Sequence, residues 1–257
     1  MRKLCPNRQL WNRLSFSVSK GLNEMGQHDP EIDVPQVLTV GRRFFELHHL
    51  ADWAAPLPTA PSYDCTTLET AKKVGFTAAL AFPPFELQMA TLDRLVDETA
   101  RKPAAIPDNQ QYREPFLSDE WSKTANGKVL QRSDDLGGRE WGPYLLLFSP
   151  NPMQKCWGLT GRQIREHFEA KGWCGLTVPE YFVLQRFFSE KYGDHRFFET
   201  PEDDSDSHSI WLIDSMDDKN CSVAMGKSGV INIQATAINN RDRRRAAIAG
   251  MIVSLEG

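Results

Sequence analysis

Two threonine-led boxes constrain this chain more than any other feature. Thr160 precedes GRQIREHFEAK with Gln163 three residues on, and Thr177 precedes VPEYFVLQRFFSEKY with Glu180 three residues on. In such a box the Thr hydroxyl accepts from an orphan N–H of the first turn, and the Gln or Glu side chain reaches back to the cap. Gly172 and Gly193 stand just past the two segments, where a helix commonly ends on a left-handed residue. The boxes predict a helix pair over 161–192, with Cys174 in the short link between its members.

The flanking sequence predicts the rest. After an acidic loop at 199–207 the period changes to two. Strands are expected at Ile210–Asp214, Cys221–Met225 and Val230–Ile238, where Ile231, Ile233, Ala235 and Ala237 alternate with Asn232, Gln234 and Thr236. That alternation marks a half-solvated antiparallel strand. Ala246–Leu255 reads as helix early and strand late. Upstream, Pro143–Phe148 is a buried strand, 133–142 is a loop, and Asn126-Gly127 signals a hairpin between Trp121 and Arg132. In the first half, 27–36 is a connector and 54–64 and 103–120 are proline-punctuated loops. Helices are expected at Arg42–Trp53, Leu68–Val74 and Phe85–Lys102, and short strands at Val37–Val40 and Phe76–Phe82. The expected class is α+β: a helical N-terminal half, then a hairpin, the helix pair and a C-terminal antiparallel sheet. The expected organisation is a basic amphipathic arm at 1–23, a mainly helical region at 24–120, and an α+β domain at 121–257 with its strands over 210–255.

The chain of 257 residues is long enough for one large or two smaller domains, and seven Trp and fourteen Phe need burial. A net charge of −4 argues against a general nucleic-acid coat but allows a local basic patch. The five cysteines are odd in number, widely spaced and free of any C-x-x-C, which excludes a disulfide framework or zinc ribbon. Reduced thiols point to the cytoplasm. No run of ~18 apolar residues is present, so no membrane span is expected. The first acidic residue is Glu24, and Trp11, Leu14, Val18 and Leu22 share one helical face among basic neighbours. Such an arm suits targeting, a membrane surface, partner docking or simply the first helix of a domain.

Each candidate for chemistry has a plainer reading beside it. Met225-Gly226-Lys227-Ser228 resembles the end of a P-loop, but Cys221 stands where the leading glycine belongs and a strand pattern follows, so a hairpin turn is expected. Asp203, Asp204, Asp206 and His208 lack the spacing of a calcium loop and read as solvated. Asp134, Asp135, Arg139 and Glu140 around Gly137-Gly138 read as a turn with solvated charges. Cys174 with His167 or His195 supplies the residue types of a Cys–His nucleophile pair and nothing more local. Arg241, Arg243, Arg244 and Arg245 form the sharpest charge cluster, suited to phosphate or carboxylate, whether on a partner or on the chain's own acidic loop. Phe187-Phe188 puts two rings about 100° apart on a helix, which needs either an exposed aromatic patch or burial on two sides. The chain's end, with strands around Trp211 and a closing Arg-rich strand, is distantly similar to the tail of a C-type-lectin-like domain. That similarity covers under a quarter of the chain and has no diagnostic motif.

With no coherent catalytic set, no metal set and no cofactor motif, the expectation is a non-enzymatic interaction protein, a subunit of a larger assembly. Its anion or partner-binding residues are Arg241, Arg243, Arg244 and Arg245, and its partner contacts are Trp11, Phe187 and Phe188. Two alternatives stay open: a hydrolase using a Cys/His or carboxylate–metal site, and a nucleic-acid-binding accessory protein using the Arg241–Arg245 cluster.

Overall fold

The computed structural model describes residues 32–100, 116–117, 130–131, 137–149, 153–192, 209–216, 219–225, 230–236, 239–241 and 245–256. These residues fall into two compact units. The first takes those up to Ala90, within Gly138–Pro150 and from Met251 onward; the second takes those within Thr91–Gly137 and Asn151–Gly250. The class is α+β.

In the first unit, helix α1 (Val34–Leu47) corrects the expected connector and strand at its start. Asp33 caps it by accepting from the Gln36 N–H at 3.1 Å. Pro35 falls in the first turn, where its missing N–H costs no intrahelical bond. Val37–Val40 looks β-like in a short window, yet Val34, Val37, Leu38, Gly41, Phe44 and Phe45 are buried at helical spacing. One buried face outweighs the weak β preference of valine. The helix stops at His48, and His49 takes a φ of 56°, so the expected single helix to Trp53 is broken before α2 (Ala51–Ala54). Trp53 then folds back on Phe45 with ring centres 5.3 Å apart, both fully buried. Truncating such a residue typically costs about 3–5 kcal/mol.

Gly41 lets α1 lie close on a sheet: a Cβ there would stand 3.3 Å from Ala81 Cβ. That sheet has the order β1-β4-β9, with β1 (Ala78–Phe82), β4 (Tyr144–Phe148) and β9 (Gly250–Ser254). Ala78 pairs antiparallel with Phe148 and Phe82 with Tyr144. All five residues of central β4 are buried, which explains its unbroken apolar run. Helix α3 (Cys65–Lys73), capped by Asp64, packs near β4. The stretch expected as one helix from Phe85 is instead α4 (Phe85–Ala90), which ends the first unit's opening segment, and α5 (Leu92–Ala100), which belongs to the second unit. Thr91 stands at the break, its carbonyl accepting from Leu95 N–H at 3.1 Å.

The second unit carries the predicted helix pair. In α6 (Gly161–Glu169) the Thr160 hydroxyl accepts from Gln163 N–H at 3.2 Å, and Gln163 Oε1 accepts from Thr160 N–H at 3.0 Å. At α7 (Val178–Tyr192) the Thr177–Glu180 pair repeats this at 3.3 and 2.8 Å. Gly172 has a φ of 66°, as the helix stop requires. Helix α7 packs on α5 and on β5 (Ser209–Met216), and every side chain from Val178 to Phe187 is buried. Strands β5, β6 (Lys219–Met225) and β7 (Val230–Thr236) form the expected antiparallel meander, with a register shift between Trp211 and Ser215. The meander is extended by β2 (Phe116–Leu117), parallel to β7, by β3 (Leu130–Gln131), antiparallel to β5, and by β8 (Arg245–Ala246), parallel to β5. Met225 pairs with Ile231, so MGKSG joins two antiparallel strands and lacks the helix that a P-loop needs.

The basic arm at 1–23 with Trp11, the Asn126-Gly127 hairpin, Asp134, Asp135, Gly193, His195 and the acidic run at 199–207 with His208 lie outside the described residues. So do Arg243 and Arg244 and the side chains of Phe188 and Arg245.

Candidate functional site

The loop at 137–142 departs furthest from its expected character. Gly138 has a φ of 95°, which a side chain would resist, and its carbonyl accepts from Trp141 N–H at 3.3 Å. This closes a four-residue turn. Arg139, expected to be solvated, is fully buried. Its carbonyl accepts from Phe85 N–H at 3.2 Å, and its guanidinium lies 5.9 Å from the centre of the Tyr144 ring. An apolar sheet face can take an arginine because the ring quadrupole and hydrogen bonding replace part of the lost hydration. Tyr144 is itself held: its hydroxyl accepts from Gln88 Nε2 at 2.9 Å, and its ring stacks on Phe82 at 5.6 Å. Gln88 Nε2 also donates to the Pro83 carbonyl at 2.7 Å.

With Arg139 turned in, Trp141 is turned out. It is 80% exposed; among the described residues, Val74 at 43% is the other exposed large apolar side chain. An ideal Cβ on Gly138 would lie 3.7 Å from Trp141 Cδ1 and 3.9 Å from Ile252 Cγ2 of β9, so the indole stands beside the sheet edge. Between Arg139 and Trp141, Glu140 is half-buried, and its Oε2 is closed to solvent with no hydrogen bond among the described residues.

The second unit contains an apolar recess with about 640 Å³ of open space, counting the solvent at its mouth. One wall is a single face of α6: Ile164, Arg165, Phe168 and Glu169. The opposite wall is Trp211, Leu212 and Ile213 of β5. Between them runs Trp173-Cys174-Gly175. Cys174 exchanges two 2.8 Å backbone bonds with Gly250, and Leu176 O accepts from Ile213 N–H at 2.9 Å. Gly175 is needed for its size, since a Cβ there would stand 2.7 Å from Ile213 Cγ2. Trp173 stands edge-on to Phe168 at 6.3 Å, with Lys171 Nζ 4.5 Å from the centre of its ring. Arg165 and Glu169 are both exposed at this recess, and neither closes an ion pair among the described residues.

Cys174 lines the recess, whereas His167 on α6 is not part of its lining. Phe187 is 5% exposed and Phe182 fully buried, so these rings form interior rather than exposed surface in this fold. Arg241 is exposed. No group of three or more His, Cys, Asp or Glu side chains that could hold a metal ion occurs among the described residues. Burial pushes the Cys156 thiol up to about 11 and raises the Tyr181 hydroxyl well above its usual value. Sequence reasoning missed Trp141 and the Arg165–Glu169 pair. The signal for Trp141 was present: a large apolar residue inside GGREWGP, a stretch with otherwise ordinary turn chemistry.

No protein-family model, no curated protein and no solved structure matches the chain. The distant similarity of its end to a C-type-lectin-like tail therefore gains no support from those comparisons.

Proposed function

We propose that the chain is an interaction protein, a subunit that docks a protein partner through Trp141. One observation carries this reading: a tryptophan 80% exposed on a turn whose neighbouring residue is anchored in the core. Tryptophan and arginine dominate interface energetics, and a turn already held by the buried Arg139 loses little backbone entropy on docking. A free indole on a soluble surface has no folding role, because its burial contributes nothing to the fold.

The test is affinity purification of tagged chain from its native host, with the Trp141→Ala variant alongside. A stoichiometric protein retained by the native chain and weakened by at least about thirtyfold in the variant supports the reading. Equal recovery with both, or no stoichiometric protein with either, overturns it. The variant should melt with the native chain, since Trp141 is exposed.

Cys65 and Cys156 are free thiols, and no helix among the described residues is long and apolar enough to cross a membrane. The free thiols support a cytoplasmic setting. The nucleic-acid reading is favoured by one observation, the exposure of Arg241, which opens the arginine cluster in the sequence. It predicts affinity falling steeply with salt, and a flat salt dependence counts against it. The hydrolase reading draws less support, because Cys174 lines an apolar recess to which His167 does not contribute.

A further inference from the structure

We propose that the recess of the second unit binds a small zwitterion with an apolar side chain, the class being a free apolar α-amino acid of which phenylalanine is the example. The proposal is independent of the Trp141 turn. Aromatic and aliphatic walls, Phe168, Trp173 and Trp211 with Leu212, favour an apolar group over water. The mouth decides what that group must carry. Arg165 and Glu169 are one helical turn apart on α6, so their side chains serve the same opening. Neither is committed to an ion pair among the described residues.

An uncharged apolar molecule gains nothing from either group. An anion meets Arg165 but is repelled by Glu169, and a cation meets the reverse. A molecule bearing a carboxylate and an ammonium one carbon apart meets both, leaves the pair's net charge unchanged and directs its side chain inward. A peptide terminus carries only one of the two charges and is disfavoured by the same argument. The floor is narrow, because Gly175 already lies against Ile213, so the ligand must be small.

The test uses L-phenylalanine, N-acetyl-L-phenylalanine, L-phenylalaninamide and benzyl alcohol as probes of the full chain by ligand-observed NMR. Phenylalanine is expected to bind, and loss of its ammonium or its carboxylate is expected to weaken binding about tenfold, as for other charge-assisted contacts. Arg165→Gln should abolish the preference for phenylalanine over its amide. Glu169→Gln should abolish its preference over the N-acetyl compound. Both residues are exposed, and an unchanged melting temperature confirms that the variants fold. Three results overturn the proposal: benzyl alcohol binding as well as phenylalanine, none of the probes binding at about 10 mM, or both variants keeping the native preferences.

Discussion

The guanidinium of Arg139 lies 5.9 Å from the centre of the Tyr144 ring, and both side chains are fully shut off from solvent. This contact ties the inward residue of an exposed turn to the central strand of a sheet. Arg139→Ala removes a desolvated cation–π contact and leaves a void, and is expected to lower stability by at least about 2 kcal/mol. Arg139→Lys should not restore it, because an ammonium cannot reproduce the planar fork. Urea unfolding checks both, and an alanine variant as stable as the native chain would refute the anchoring role.

Gly175 leaves no room for a methyl group against Ile213. Gly175→Ala is expected to cost about 1–3 kcal/mol through overpacking. The penalty should shrink when Ile213→Ala is present, since the clash partner is gone. A double-mutant cycle measures that coupling; strict additivity of the two changes would show that the contact is not the cause.

The Asp64 carboxyl is held down at about 2, chiefly by the Thr66 hydroxyl, then by the Thr67 hydroxyl and the Thr66 backbone N–H. A carboxylate with a depressed pKa stabilises the folded state above its ordinary titration range, and the contribution fades as pH falls toward its folded value. The native chain's advantage over Asp64→Asn should therefore be full near neutrality and shrink between about pH 4 and pH 2. A difference independent of pH across that range would contradict the assignment.

Cys65 is exposed, Cys174 half-buried and Cys156 buried. Native alkylation followed by mass mapping should modify Cys65 first of the three and Cys156 only on unfolding. Burial holds the Cys156 thiol neutral up to about 11, above its ordinary range. The unfolded thiol ionises first as pH rises, so folding should weaken from about pH 9 toward pH 11, and Cys156→Ala should remove that part of the slope. Rapid native labelling of Cys156 would overturn the account.

What could be read from the residues was local. The Thr160–Gln163 and Thr177–Glu180 boxes close within one turn, so spacing alone reveals them. Strand β4 is legible because a strand covered on both faces needs an uninterrupted apolar run. Val37–Val40 misled because four residues cannot display a helical period, which emerges only from Val34 to Phe45. Arg139 misled because nothing adjacent in sequence announces a tyrosine ring waiting in the core. The recess brings α6, the Cys174 link and β5 side by side, and no local pattern records that Trp173 and Trp211 line one hollow.

Strand β9 has a consequence for how the chain is made. The sheet that carries Phe82 and Tyr144 is completed by strand β9, of which residues 251–254 belong to the first unit, while everything from Asn151 to Gly250 belongs to the other. A ribosome therefore delivers β1 and β4 long before their third strand. Until then one edge of β4, apolar along its whole length, has no partner. Such an edge templates pairing with other chains. Slowing translation between Phe148 and Gly250 should thus increase the share of newly made chain captured by chaperones, whereas slowing it before Ala78 should not.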